Sequence, residues 1–391
     1  MYRIAKLNKI ANVVNDYFPA EQFDLAETDD PHGIIVRSAD MHGYDKGNNL
    51  LAVARAGAGT NNIPCDDYAK EGIVVFNTPG ANANAVKELV LAAILLSSRK
   101  IVDGIEWAKT LKGQGDAVGG LVEKGKSRFA GQEIKGKRLG VIGLGAIGAM
   151  VANDALKLGM QVSGYDPYIS VEHAWALSHS IKRETNLEKL VAQSDYITIH
   201  VPLVPATRGM FNKQLLHKVK RGARVLNFSR GGLVDSEAMI AALSMGRVGC
   251  YVTDFPDDTL LDVPGVIAIP HLGASTAESE DNCAHMAAAQ LAEYLLNGNI
   301  KNSVNYPEAI LPRTTAHRIT IMHRNVTNMV GQMTAVLAES GQNIADMINK
   351  SRGELAYTII DTDHDVTPEE TARLLAIDGV IRVRSLGRVE M

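Results

Sequence analysis

Short apolar runs separated by polar stretches dominate the first eighty residues: Ile34-Ile35-Val36, Leu51-Ala52-Val53-Ala54 and Ile73-Val74-Val75-Phe76. This spacing is the one expected of βα units around a parallel sheet. From Asn82 to Lys100 the period lengthens, because Val86, Leu89, Val90, Ala93, Ile94 and Leu96 recur at helical intervals behind a Gly/Asn-rich stretch that supplies caps. A second α/β unit follows, with strands predicted at Arg138–Ile142, Val162–Tyr165, Tyr196–His200, Ala223–Phe228, Cys250–Phe255 and Val266–Ile269. Helical patterns between them imply right-handed crossovers. Ala274 to Asn297 reads as one long helix that returns the chain to the first unit, which residues after about 285 then complete.

Past Pro307 and Pro312 the pattern changes again. Arg318–His323 alternates, Met329–Ser340 is helical, Leu355–Asp361 is strand-like, Pro368–Ala376 is helical and Val380–Ser385 is strand-like. With a strand near Asn343–Lys350 the order becomes βαββαβ, a small ferredoxin-like domain. The fold class predicted is therefore α/β: two Rossmann- or flavodoxin-like parallel-sheet domains and a C-terminal ferredoxin-like one.

Composition narrows the function. The chain has 391 residues, 46% hydrophobic and 21% charged, with a net charge of −4, so it has no electrostatic footprint for nucleic acid. Cys65, Cys250 and Cys283 are scattered and lack C-x-x-C spacing, against a disulfide framework or a zinc site, and no metal is expected. The N-terminus has no apolar leader core and no long apolar run follows, so the expectation is a cytoplasmic protein without a membrane span.

The Lys137–Ile142 run leads into Gly143-Leu144-Gly145-Ala146-Ile147-Gly148 and a helix, the arrangement a pyrophosphate-binding loop requires. Gly143 permits the tight turn, Gly145 lets backbone approach the pyrophosphate and Gly148 lets helix and strand pack, while the helix N-terminus favours the anion. Asp166 ends the next strand, where a carboxylate hydrogen-bonds ribose hydroxyls and repels a 2′-phosphate, so NAD is preferred over NADP. Three later segments sit where ligands bind in such sheets: Asn227–Gly232, Asp254–Asp258 and Pro270–Thr276. Oxidising a secondary alcohol needs a base that reversal uses as an acid, which suits His271. Asp258 could fix its tautomer, with Asp257 as the fallback, and Arg230 could hold a substrate carboxylate through its planar fork.

At these residues the chain resembles the D-2-hydroxyacid dehydrogenase family over nearly all of residues 1–310. The motifs that carry the likeness are Gly143–Gly148, Ser229-Arg230-Gly231-Gly232 and Pro270-His271-Leu272-Gly273-Ala274. The resemblance implies a substrate domain (1–88 and 285–310) split around a nucleotide domain (89–284), with Arg230 and His271 as the catalytic pair. The family's acid follows Asp-Val-Phe by three positions. Here Asp254-Phe255 lacks the intervening residue, and the third position after Phe255 is Asp258. The resemblance also implies that Ala146, Ile147, Val201, Pro202, Phe228, Ser229, Arg230, Asp254, His271, Gly273 and Ala274 line the cofactor site.

The segments Ile35–Ser38, Ala54–Gly59 and Asn77–Asn82 are similar to substrate loops of the phosphoglycerate-oxidising branch, implying Arg37, Ser38, Arg55, Ala56, Gly57 and Asn82 as substrate contacts. Two arginines at strand ends suit a phosphate beside a carboxylate, with Lys126 or Arg128 as a third cation. The reaction implied is oxidation of 3-phospho-D-glycerate, the first step of L-serine synthesis. Rival readings are another hydroxyacid such as 2-hydroxyglutarate, or a non-enzymatic dinucleotide-sensing scaffold. The tail at 316–391 is similar to an ACT regulatory domain and implies L-serine as effector at His323, Asn325 and Asn343, although Val326-Thr327-Asn328 replaces the usual Arg-Pro-Gly. A homodimer or homotetramer is expected.

Overall fold

The computed structural model describes residues 1–25 and 28–387; the last four positions of the expected tail domain lie outside the described residues. The chain divides into two compact units, Met1–Ala81 with Ala277–Met391, and Asn82–Thr276.

In the first unit, β1 (Tyr2–Leu7), β2 (Phe23–Asp24), β3 (Gly33–Val36), β4 (Ala52–Arg55) and β5 (Val74–Phe76) form a sheet in the order β2-β1-β3-β4-β5. All its pairings are parallel, the flavodoxin-like order. Neighbouring positions on a strand face opposite sides. Ile35, Ala54 and Phe76 therefore pack with the Ala277–Asn297 helix through Ala284, Ala287, Ala288 and Leu291. Ile34, Val36, Val53 and Val75 bury against Met41, Leu50, Ile63 and Tyr68. Alanines along that helix let it lie close to the sheet. It begins at Ala277, three residues later than the apolar pattern suggests, because 274–276 are spent in a turn.

The tail forms an antiparallel sheet of β13 (His317–Arg324), β14 (Ile344–Arg352), β15 (Leu355–Thr362) and β16 (Val380–Leu386), ordered β14-β15-β13-β16. With helices Met329–Glu339 and Pro368–Leu375 it has the expected ferredoxin-like topology. Ile319, Ile321 and Ile360 face these helices, and a capping box of Thr367 and Glu370 starts the second one. The opposite face is not left to solvent: Met322, Tyr357 and Ile359 join the core of the flavodoxin-like sheet.

Polar groups on that face close the end of the Ala277–Asn297 helix, whose last carbonyls lack helical partners. Arg318 donates to Asn297 O at 2.9 Å, Arg384 to Leu295 O at 2.9 Å, and the Tyr357 hydroxyl to Gly298 O at 2.7 Å. Arg318 is also bound by both oxygens of Asp361, at 2.6 and 3.0 Å, with both side chains fully buried. Burial opposes ionisation of Asp361, but the Arg318 and Thr314 hydrogen bonds outweigh it and hold the carboxyl below its ordinary value.

The second unit carries seven parallel strands: β6 (Arg138–Ile142), β7 (Gln161–Tyr165), β8 (Lys182–Arg183), β9 (Tyr196–Ile199), β10 (Ala223–Asn227), β11 (Val248–Thr253) and β12 (Val266–Ala268). Their order, β12-β11-β10-β9-β6-β7-β8, reverses direction between β6 and β9, the topological switch point of a Rossmann sheet. The Ala83–Arg99 helix packs on it through Val86, Val90 and Ile94.

Candidate active site

The glycine-rich turn lies at the switch point. Gly143 has φ +86°, and a side chain there would strike His200 O. At Gly148 an added Cβ would fall on Gly143 O, so the Ala146–Lys157 helix can approach β6 only with glycine there. Nothing lies within 4 Å of a Cβ at Gly145, leaving its backbone open to a ligand at the helix N-terminus. Asp166 is fixed by the backbone N–H of Leu144 and of Tyr168, each at 2.8 Å, and each oxygen keeps a further lone pair for a hydroxyl.

β9 leads into Val201-Pro202 through His200, which burial drives down to about 3 and so keeps neutral. The Ser229 hydroxyl donates to Val201 O at 2.6 Å, joining the loops after β9 and β10. Fully buried Asn227 accepts from Ser229 N and donates to Arg230 O, setting the turn that presents the exposed Arg230 side chain. The rings of Phe255 and His271 pack with centroids 4.4 Å apart and planes tilted by 48°. Burial and, second to it, the Arg230 charge lower the pKa of His271, so the guanidinium lies within electrostatic reach of the imidazole.

The acids sort differently. Asp257 accepts from the Ser236 hydroxyl at 2.6 Å and from Thr259 and Leu260, so both its oxygens are spent closing a turn and it is no partner for His271. Asp258 is exposed and makes no hydrogen bond to His271 among the described residues. Asp254 is 1% exposed, and neither carboxyl oxygen finds a hydrogen-bond partner of good geometry. Burial pushes it up to about 6, against smaller pulls from the backbone N–H groups of Asp254 and Gly273 and from the Arg230 charge. An added Cβ on Gly273 would lie 3.5 Å from its Oδ2. A buried carboxyl with idle oxygens beside the His271 turn suits a cofactor amide donor.

Arg37, Ser38, Arg55, Ala56 and Gly57 all belong to the first unit, whereas Asn82 precedes the first helix of the second. Arg37 follows β3 and Arg55 ends β4, its register partner being Val36. Arg37 pairs with Glu280 at 2.6 Å, and Arg55 donates to Asn62 Oδ1 at 3.1 Å. Both charges oppose the rise that burial gives the Cys283 thiol, so each guanidinium lies within electrostatic reach of it. Sequence reasoning missed Glu280, Asn62 and Phe255; only Phe255 carried a signal, as an aromatic directly after the motif acid. Lys126 is paired with Glu123, and Arg128 stacks on Trp107 at 4.7 Å, so both candidate third cations are held locally.

In the tail, His323 is 2% exposed. Its Nδ1 meets Arg324 O at 2.8 Å and its Nε2 meets Thr358 Oγ1 at 2.9 Å, so neither ring nitrogen is left for the effector contact expected there. Asn325 spends its amide on Gly353 O at 3.1 Å, while Asn343 is exposed at the entry to β14.

A glycine-rich βα turn, a strand-end acid and an Arg–His pair on a Rossmann sheet define a dinucleotide-dependent dehydrogenase of hydroxyacids. Residues 91–273 match the family model of the D-isomer specific 2-hydroxyacid dehydrogenase, NAD binding domain. The chain is 32% identical to D-3-phosphoglycerate dehydrogenase of Haemophilus influenzae over 86% of this chain and 81% of that one. It is also 32% identical to the Escherichia coli K12 enzyme of the same name, over 91% and 87%. The solved, NAD⁺-bound 3-phosphoglycerate dehydrogenase of Entamoeba histolytica superposes with a TM-score of 0.60 at 25% identity, covering 78% of this chain and 98% of that one. The chain belongs to the D-isomer specific 2-hydroxyacid dehydrogenases, and its cofactor is NAD.

Proposed function

We propose that the chain oxidises 3-phospho-D-glycerate to 3-phosphooxypyruvate, the first step of L-serine synthesis. The observation that carries this reading is the placement of Arg37 and Arg55 at the ends of adjoining strands, in a chain whose relatives bear the phosphoglycerate dehydrogenase name. Two guanidiniums match a phosphate dianion. Ser38, Ala56, Gly57 and Asn82 complete the proposed substrate contacts. Arg230 holds the substrate carboxylate and polarises the carbonyl oxygen. His271 takes the hydroxyl proton during oxidation and returns it during reduction, and its lowered pKa keeps it free to accept at neutral pH. NAD when bound would supply the hydride acceptor; the open backbone at Gly145 would hold its pyrophosphate, Asp166 its ribose and Asp254 its amide.

The test is NADH formation from 3-phosphoglycerate and from 2-hydroxyglutarate, with the wild-type chain and Arg37→Ala/Arg55→Ala. Phosphoglycerate should be preferred, and the double variant should raise its KM by about a hundredfold, the loss expected of charged hydrogen bonds worth about 3 kcal/mol. A preference for the dicarboxylate would replace this substrate with the rival one, and absence of turnover with any hydroxyacid would leave the dinucleotide-sensing scaffold.

A homodimer is supported by the Ile101–Lys109 helix, which buries none of its residues. Ile101, Val102, Ile105 and Val122 are all more than a third exposed on that arm. Light scattering should show Ile105→Arg as a monomer. The ferredoxin-like tail and exposed Asn343 support L-serine as effector, with Asn325 and Asn343 as contacts. Calorimetry with L-serine tests this. Among the described residues no helix is long and apolar enough to cross a membrane, which is consistent with the cytoplasmic location we propose.

A further inference from the structure

A cavity of about 1000 Å³ opens inside the first unit, between the Cys65–Lys70 helix of the flavodoxin-like sheet and the β14–β15 hairpin of the tail. It lies apart from Arg37 and Arg55, and it shares no residue with the proposed serine contacts except Asn325. Its size is at the upper end for small-molecule sites. We propose that it is a second ligand site, taking a small organic dianion whose charge is carried on phosphate or carboxylate groups.

Three cations stand at it: Lys70 on one wall, already paired with Asp67 at 2.9 Å, and Arg324 and Arg352 on the other. Asp66 and Glu354 also line it, so the positive charge open to a ligand is that of the two arginines. The guanidinium of Arg324 has no hydrogen-bond or ion-pair partner among the described residues and stands exposed. Arg352 spends one N–H on Ser303 O at 2.9 Å, which fixes the fork while leaving its other donors free. Asn305 spends both amide N–H groups on Cys65 O and Ile73 O, while Asn325 gives one to Gly353 O and keeps the other. Recognition there falls to the two planar forks, whose geometry matches carboxylate or phosphate oxygens in pairs.

The walls are also held in place without a ligand. Arg382 donates to Leu50 O at 2.8 Å and to Glu71 O at 3.0 Å, tying β16 to the sheet just past the same helix. A site whose sides are fixed beforehand loses less entropy on binding. A dianion bridging Arg324 and Arg352 to Lys70 would add a further link between tail and sheet, so binding should raise the stability of the whole first unit.

The experiment is calorimetry on the full chain with inorganic phosphate and, separately, with succinate, comparing wild type, Arg55→Ala and Arg324→Gln. Arg55→Ala removes a cation of the proposed substrate site, so the inference does not rest on the substrate assignment. At least one probe should bind saturably at millimolar concentration, persist in Arg55→Ala and weaken about tenfold or more in Arg324→Gln with turnover unchanged. Response to phosphate alone assigns a phosphate ligand, and response to succinate alone assigns a dicarboxylate. Arg324→Gln alters an exposed side chain without partners, so a normal thermal transition should accompany the loss. Binding that vanishes in Arg55→Ala and survives Arg324→Gln, or no binding of either probe, overturns the proposal.

Discussion

Replacing Asp254 by asparagine should stabilise the nucleotide unit at alkaline pH and leave it nearly unchanged at acidic pH. The carboxyl is 1% exposed and its folded pKa is raised from 3.8 to about 6 by burial. A group raised on folding holds its proton more tightly in the native state, so the stability it contributes is present below the unfolded value and is lost as pH climbs toward 6. Each tenfold change in proton affinity is worth about 1.4 kcal/mol, which puts the full loss at about 3 kcal/mol, and partial hydration around the loop reduces it to about 1–3 kcal/mol. The neutral amide escapes that loss. Urea unfolding followed by tryptophan fluorescence reads the right unit, because Trp107 and Trp175 are the only tryptophans and both lie between Asn82 and Thr276. The stability difference between variant and wild type should be small near pH 4, rise between about 4 and 6, and level off above. A difference that is flat across this range, or a variant less stable at pH 8, would show that the carboxyl is ionised without penalty and refute the reasoning.

His271→Ala should lower kcat by about a hundredfold or more while NADH binding, read by fluorescence titration, stays within a few-fold of wild type. Asp258→Asn should leave the pH profiles of kcat/KM and kcat unchanged, since the exposed Asp258 makes no hydrogen bond to His271 among the described residues; a downward shift of the acid limb would restore Asp258 as the partner of the imidazole. Asp166→Ala should narrow an NAD-over-NADP preference of roughly tenfold or more, measured as the ratio of kcat/KM values. Arg318→Met leaves the buried Asp361 carboxylate unpaired, at a cost of about 3–5 kcal/mol, and Asp361→Leu in the same chain should recover most of it. Hydrogen exchange of β13 and β15 amides measures both, and a loss below about 1 kcal/mol in the single variant would contradict the buried-pair account.

The parallel sheets were legible because their signals are local. Glycines at Gly143 and Gly148 answer backbone demands that no other residue meets, and the apolar runs of β3, β4 and β5 need no partner to be recognised. β1 was harder to see: Arg3 and Lys6 interrupt it and only Ile4 and Ala5 are buried. The Ile101–Lys109 helix escaped notice because it buries nothing and runs into a glycine-rich stretch. Arg230 and His271 could be read from motifs, but the roles of the acids could not. Asp254, Asp257 and Asp258 differ in what the folded loop brings to them, burial without a donor, a ring of donors and open solvent. The tail misled in the same way. Arg318 and Arg384 look like solvent-facing charges of an alternating strand, and only the docked helix end explains their burial. His323 has the side chain a ligand site would use, and the sheet consumes it.

The split of the first unit bears on how the chain is made. Residues 1–81 leave the ribosome with one face of their sheet uncovered, since the helix that covers it is encoded roughly two hundred residues later and the strands that close that helix come later still. At ordinary rates of synthesis this gap lasts on the order of tens of seconds. The nucleotide unit is continuous in sequence and can fold meanwhile, whereas the N-terminal strands must wait with Ile35, Ala54 and Phe76 accessible. A nascent chain stalled before Ala277 should therefore be a strong client for chaperones that hold exposed apolar surface.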